Sequence, residues 1–268
     1  MSRFTWLLVL LSALGSSLMP AKAADIDVDL ELVLAVDVSW SMDMDEQDLQ
    51  RQGYVAALKH PDVIRAISSG LHGKIALTYM EWAGPGYQTV LMPWTVIDSA
   101  EAAHAFADGL ASAPISRFRA TSISSALQFA APMFDGNGFQ GMRRVIDISG
   151  DGPNNMGEPV AGARDAVVGR GIVINGLPIM IKEASGFYSI DNLDVYYEQC
   201  VVGGPGSFII AVQDLQTIAE AIRRKLVLEI VGPQPAEPEV TYASETSVAQ
   251  ATPVDCLIGE KLFQRWMQ

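Results

Sequence analysis

The stretch Leu32-Val33-Leu34-Ala35-Val36-Asp37-Val38-Ser39-Trp40-Ser41 decides how this chain is read. Its first half is a short, continuous, branched-residue-rich apolar run, which suits a strand buried on both faces of a parallel sheet. Its second half carries three oxygen-bearing side chains at alternate positions. In extended backbone, residues two apart project the same way, so Asp37, Ser39 and Ser41 can aim at one point. Just downstream, Asp43-Met44-Asp45-Glu46 opens a helix with acids placed to complement its dipole. One or two carboxylates with hydroxyls and retained waters are the donors a hard divalent cation prefers.

Two later segments carry matching chemistry. Arg119-Ala120-Thr121-Ser122-Ile123 sets a Thr at the opening of a helix, and Val145-Ile146-Asp147-Ile148-Ser149-Gly150-Asp151-Gly152 ends a second buried run in Asp-Gly. Taken in this order, the three segments resemble the metal-ion-dependent adhesion site of von Willebrand factor type A domains. The resemblance spans about residues 30 to 230. It implies that Asp37, Ser39, Ser41, Thr121 and Asp151 hold Mg²⁺ (or Mn²⁺ or Ca²⁺). It also implies a coordination position kept for an acidic side chain from a protein partner. The family often places Gly before its Thr, whereas Ala120 stands here.

Each residue also has a plainer reading. Thr121 is a preferred helix N-cap, Asp151-Gly152 a turn, and Ser39 and Ser41 ordinary loop residues. Trp40, between the two serines, is either a partner contact at the rim or a packing aromatic. The run from Asp37 to Asp45 also resembles the start of integrin β-subunit inserted domains, which implies a second cation at Asp43 and Asp45; acids in a first helical turn are otherwise commonplace. More closely, the chain is similar to a family of uncharacterised bacterial exported proteins built on this domain. That likeness rests on Asp37-Val38-Ser39-Trp40-Ser41, Ile148-Ser149-Gly150-Asp151-Gly152, the run from Cys200 to Gly206 and the run from Ile222 to Ile230.

Around the motif, strand-like and helix-like segments alternate. Strands are expected at Leu30 to Val38, Lys74 to Trp82, Arg144 to Ser149, Ile172 to Ile181 and Phe208 to Val212. Gln88 to Val96, after the turn Gly84-Pro85-Gly86 and interrupted by Pro93, reads as an edge strand. Helices are expected at Asp45 to Leu58, after Pro61, at Ser99 to Leu110 and near Ala161 to Val168. Two have firm 3.6-residue periodicity: Ile123, Ala126, Leu127, Ala130 and Phe134, and Leu215, Ile218, Ala219, Ile222 and Leu226. This predicts an α/β fold, Rossmann-like and doubly wound, with a mostly parallel sheet, one antiparallel edge strand and helices on both faces. Binding loops in such sheets lie beyond the carboxyl ends of the strands, where Asp37 and Asp151 fall.

Residues 1–23 read as a secretory leader: Arg3, an apolar stretch from Phe4 to Leu14, and Ala21-Lys22-Ala23 as a cleavage signal. A retained anchor is the alternative. Cleavage predicts a periplasmic or secreted protein whose formal charge moves from −13 to −15 with loss of Arg3 and Lys22. That acidity disfavours nucleic acid and anionic membranes as partners. The expected organisation is a leader at 1–23, a domain at 24–231, and a proline-rich linker with a tail at 232–268, ending in a short helix from Cys256 to Trp266. In an oxidising compartment Cys200 and Cys256 are expected to bridge the tail to the domain, two free thiols being the other possibility. His60, His72 and His104 are scattered and suggest no zinc site.

Three functions compete at this stage. The first is a cation-dependent protein-binding module. The second is a metal-assisted hydrolase with Asp37 as nucleophile, against which Ser39 stands where a second acid is wanted. The third is a periplasmic solute-binding protein, against which no two-lobe repeat is visible. No G-x-S-x-G elbow supports an esterase.

Overall fold

The computed structural model describes residues 24–181, 189–232 and 253–268. The expected leader and most of the expected linker lie outside the described residues. In chain order the regular elements are β1 (Ile26–Val28), β2 (Leu30–Asp37), α1 (Met44–Lys59), α2 (Pro61–Ser68), β3 (Ile75–Trp82) and β4 (Gln88–Ile97). Next come α3 (Ala100–Ser112), α4 (Ile123–Ala130), β5 (Phe139–Gly141), β6 (Arg144–Gly150), α5 (Val160–Val168) and β7 (Val173–Pro178). The chain closes with α6 (Leu193–Tyr196), α7 (Ile218–Val231) and α8 (Ile258–Trp266). Among the described residues, no helix is long and apolar enough to cross a membrane.

The main sheet has the order β4-β3-β2-β6-β7, parallel throughout except for β4, which pairs antiparallel with β3 at one edge. Strand β2 lies in the middle, and every one of its residues is buried. Leu30, Leu32, Leu34 and Val36 enter one core with α1, α2, α3 and α7, while Val33 and Ala35 enter the other with α4, α5 and α6. Two-sided burial is why the motif strand is apolar without interruption. The buried Glu31 is satisfied at the other end of the sheet, accepting from Asn137 Nδ2 at 2.7 Å and Gly141 N at 2.8 Å. Those bonds hold β5 beside β1, a small parallel pair too short to show in the hydrophobic pattern.

Two of the expected elements are altered by a proline. The helix from Ile123 changes to a 3₁₀ turn over Ala131–Phe134, because Pro132 has no N–H for the α-helical ladder. The expected strand Phe208 to Val212 lies beside β7 only as isolated parallel bridges. Gly176 N donates to Phe208 O at 3.0 Å and Ile210 N to Gly176 O at 3.0 Å, but Pro178, as an imino acid, cannot donate the next bond.

A fully buried charged cluster ties the sheet to α7. Lys225 Nζ lies 2.6 Å from Asp147 Oδ1 and bonds Glu229 Oε1, and Asn175 Nδ2 donates to the same Glu229 oxygen at 3.1 Å. Two acids face one ammonium. Burial first, then the Asp147 charge, pushes the Glu229 carboxyl up to about 7.

The tail returns to the domain. Cys200 and Cys256 are joined by a disulfide across 56 residues. Val254 N donates to Gln199 Oε1 at 2.9 Å. Gly259 packs so closely that a Cβ there would stand 2.0 Å from the Asn154 carbonyl oxygen. Beside it, Asn154 Nδ2 donates to Glu260 Oε1 at 2.7 Å. Helix α8 therefore braces the loop that follows β6.

A folded carboxyl titrating above its unfolded value holds its proton where the unfolded chain has lost it, so its contribution to stability falls as pH rises from about 4.5 to about 7 and is flat above. Glu229→Gln mimics the neutral acid, and denaturant titration should find it close to wild type at pH 5 and more stable at pH 8; the reverse order contradicts the proton assignment. Gly259→Val should force α8 from its seat, so amide exchange at Asn154 and Asn155 quickens by roughly tenfold while global helicity is kept. Unchanged exchange would show that the tail does not brace the loop.

Candidate metal centre

Three loops meet beyond the carboxyl ends of β2 and β6. The segment after β2 is held on both sides, with Val38 N donating to Trp82 O at 2.8 Å and Phe118 N to Val38 O at 2.9 Å. The loop before α4 is fixed by Ser122 N donating to Ala83 O at 2.9 Å. The loop after β6 is fixed to that one by two neighbouring asparagines. Thr121 N donates to Asn155 Oδ1 at 2.9 Å while Asn155 N returns a bond to Thr121 O at 2.9 Å, and Ser124 N donates to Asn154 Oδ1 at 3.0 Å.

Asp37 is fully buried, and its Oδ1 accepts from Ser39 N at 2.7 Å. Ser39 Oγ and Ser41 Oγ are 2.7 Å apart, and Ser41 Oγ donates to Asp151 Oδ1 at 2.5 Å. A continuous polar chain thus runs from Ser39 through Ser41 to Asp151. The α4 N-cap is Ser122, whose Oγ accepts from Ser125 N. The capping role that competes for Thr121 is therefore filled by its neighbour. Thr121 Oγ1 is buried and has no hydrogen-bond partner among the described residues; the same is true of Asp37 Oδ2.

The electrostatics are lopsided. Burial, followed by repulsion from Asp151, holds the Asp37 carboxyl well above the ordinary aspartate range, against the opposing pull of the Ser39 bonds. The buried Tyr197 hydroxyl is pushed up by burial and then by the charges of Asp37 and Asp151. A Cβ at Gly150 would stand 2.8 Å from the Tyr197 hydroxyl and 2.9 Å from Asp37 Oδ2, so only glycine leaves this space open. Two carboxylates and three hydroxyls, with one oxygen of Asp37 and that of Thr121 left orphaned, form a donor set that fits a hard cation with retained waters. Among the described residues no group of three or more His, Cys, Asp or Glu side chains is placed to hold a metal, so the donor set here is one of mixed carboxylates and hydroxyls.

The remaining sequence candidates take separate places. Asp43 caps α1 in a reciprocal box: Glu46 N donates to Asp43 Oδ1 at 2.9 Å and Asp43 N to Glu46 Oε2 at 2.8 Å. Asp45 is exposed in the first turn of α1. Trp40 lies exposed at the rim, where Arg117 Nη2 donates to its carbonyl oxygen at 2.8 Å and the Arg119 guanidinium sits 4.3 Å from its ring centre. Ala120, in the position where the resembling family often has Gly, has a left-handed φ of 66°. Gly84 makes room for that turn, since a Cβ there would meet Arg119 O at 2.7 Å. Asn154, Asn155 and Tyr197 were not among the sequence candidates; two asparagines after Asp-Gly-Pro read only as loop composition.

Solved structures share this architecture at low identity. Proximal thread matrix protein 1 from the mussel byssus superposes with a TM-score of 0.56 and 12% identity, over 78% of this chain and 49% of that one. A second structure of that mussel protein, with a zinc-occupied MIDAS motif, gives 0.53 and 14%, over 78% and 49% of the two chains. The pilus adhesin SpaC from Lactobacillus rhamnosus GG gives 0.55 and 14%, over 78% and 32%. A von Willebrand factor type A protein from Catenulispora acidiphila gives 0.53 and 15%, over 76% and 43%. The chain spans about half the length of the mussel protein, or less in the other two. No curated protein matches the sequence. The fold is that of von Willebrand factor type A domains, and over residues 27–234 the chain belongs to the family described as "Protein of unknown function (DUF1194)".

Proposed function

We propose that residues 24–231 form an exported, divalent-cation-dependent protein-binding module, preceded by a leader at 1–23 and followed by a tail at 232–268. The observation that carries this reading is Asp37: a fully buried carboxyl, repelled by Asp151, with one oxygen lacking a partner. Such an arrangement costs several kcal/mol unless a positive charge compensates it. Asp37, Ser39, Ser41, Thr121 and Asp151 would hold the ion, with Asn155 and Asn154 setting the spacing of the last two. Bound Mg²⁺, Mn²⁺ or Ca²⁺ would supply that charge and an electrophilic position for a partner's carboxylate. The use of Asp43 in helix capping favours a single ion over a second one at Asp43 and Asp45. Ser39, where a phosphohydrolase would want its second acid, favours binding over turnover. The mussel thread protein and the pilus adhesin with this fold are compatible with an adhesive role in the periplasm or outside the cell.

Thermal melts with and without cation test the reading. Wild type should gain melting temperature as Mg²⁺ or Mn²⁺ is added. Asp37→Asn should melt higher than wild type in chelator, because a buried repulsion is gone, yet gain nothing from cation. Asn155→Ala should keep the response at roughly 10- to 100-fold weaker affinity, as expected of a group that positions a ligand. A wild-type melt indifferent to every divalent cation would contradict the proposal.

A further inference from the structure

We infer that the surface around the cation site accepts an acidic protein segment bearing a second carboxylate and an apolar side chain beside the one directed at the ion. This inference rests on the cation reading above and specifies its partner. Four large apolar side chains stand exposed on the loops that build the site and at the start of α1: Trp40 at 42%, Met44 at 49%, Phe118 at 40% and Met156 at 38%. Each is tied to the site by backbone. Trp40 separates Ser39 from Ser41, Met44 opens α1, Phe118 bridges to Ser39, and Met156 N donates to Thr121 O at 3.3 Å. Scattered exposed apolar residues need no explanation, but three on the loops that meet at one strand end, with a fourth at the adjoining helix start, mark an interaction surface. The surface is braced as well as apolar, since Phe118 stacks on Tyr87 with ring centres 3.5 Å apart.

The same loops carry two arginines whose use is otherwise unexplained. Acidic residues outnumber Lys and Arg by 31 to 18 in this chain. Arg51, Arg65, Arg144, Arg164, Arg170 and Arg223 all pair with carboxylates. Arg117 and Arg119 have no carboxylate partner among the described residues; instead they engage the carbonyl and the ring of Trp40. Stacking on an indole holds a guanidinium in place while leaving its in-plane donors available. A carboxylate offered from outside can then take a forked bond. This local charge also answers the protein's overall acidity. Within about 8–10 Å two arginines act on an approaching acid, while the distant negative charges are screened by salt. Aromatic and arginine side chains at the centre of a contact are the residue types that carry most binding energy.

The test pans a library of random linear peptides on the full chain in Mg²⁺. Enriched peptides should combine at least two acidic residues with an aromatic or aliphatic one. Their affinity should fall roughly tenfold or more for Trp40→Ala and for Arg117→Ala/Arg119→Ala, and less for Arg119→Lys, which keeps charge but loses the fork. All three residues are exposed, and circular dichroism checks that each variant folds. No enrichment, enrichment without acidic residues, or equal affinity for the double arginine variant would overturn the inference. Chelator separates the two layers. Peptides that need the arginines but not the cation would uphold this surface and sink the cation reading, whereas peptides that need the cation and ignore the arginines would do the opposite.

Discussion

Two carboxylates are brought together where neighbouring parallel strands end, and the surrounding structure keeps water from neutralising the problem. Strands β2 and β6 pair in register up to Val36 and Ser149, so the residues that follow are adjacent by construction. Asp37 ends the central strand and is itself fully buried. A carboxyl in that setting must be protonated, hydrogen-bonded throughout or matched by a cation. Ser39 satisfies one of its oxygens, and the other is left facing the Gly150–Tyr197 space.

The rest of the site can be understood as support for that pair. Buried Arg51, paired with Glu81 of β3, donates to the Ala113 carbonyl at 3.0 Å and so ties α1 and the end of α3 to the strand beside β2. The asparagine clip fixes Thr121 against the loop that carries Asp151. Behind the clip, α8 and its disulfide press on Asn154. These contacts are mostly polar and join segments far apart in the chain, which suits groups whose task is to hold oxygen atoms at fixed separations. The Ala120 turn, in a conformation that costs a non-glycine residue roughly 1–2 kcal/mol, is one strained point in this frame.

Much of the fold could be read from residue order, because a strand buried on both faces has to be apolar throughout and a helix covering it has to repeat every three or four residues. Leu30 to Val36 and Ile123 to Phe134 carry those patterns plainly. Strands β1 and β5 could not be read: each has three residues, too few for any period, and they are held by the buried Glu31. The interruption at Pro178 was legible in principle, since a missing N–H is a property of the residue, but which neighbour loses the bond depends on tertiary pairing. At the candidate site, Asp37, Ser39 and Ser41 could be proposed from alternate spacing at a strand end, whereas Thr121 and Asp151 entered through the family resemblance, their local patterns reading as a helix cap and a turn. Asn154, Asn155 and Tyr197 act across 30 residues or more of sequence separation, and no local pattern announces such partners.

The rim extends the same logic outward, with Trp40, Phe118 and two arginines placed by the backbone that places the donor oxygens. The function of the whole surface turns on whether those oxygens hold an ion. Anomalous diffraction from crystals grown in Mn²⁺ addresses it most directly. One strong peak is expected within ligand distance of the Asp37, Ser39 and Ser41 side chains, with Thr121 and Asp151 reaching it directly or through water. A fully ordered site with no peak, or with the metal bound elsewhere on the molecule, would contradict the cation reading.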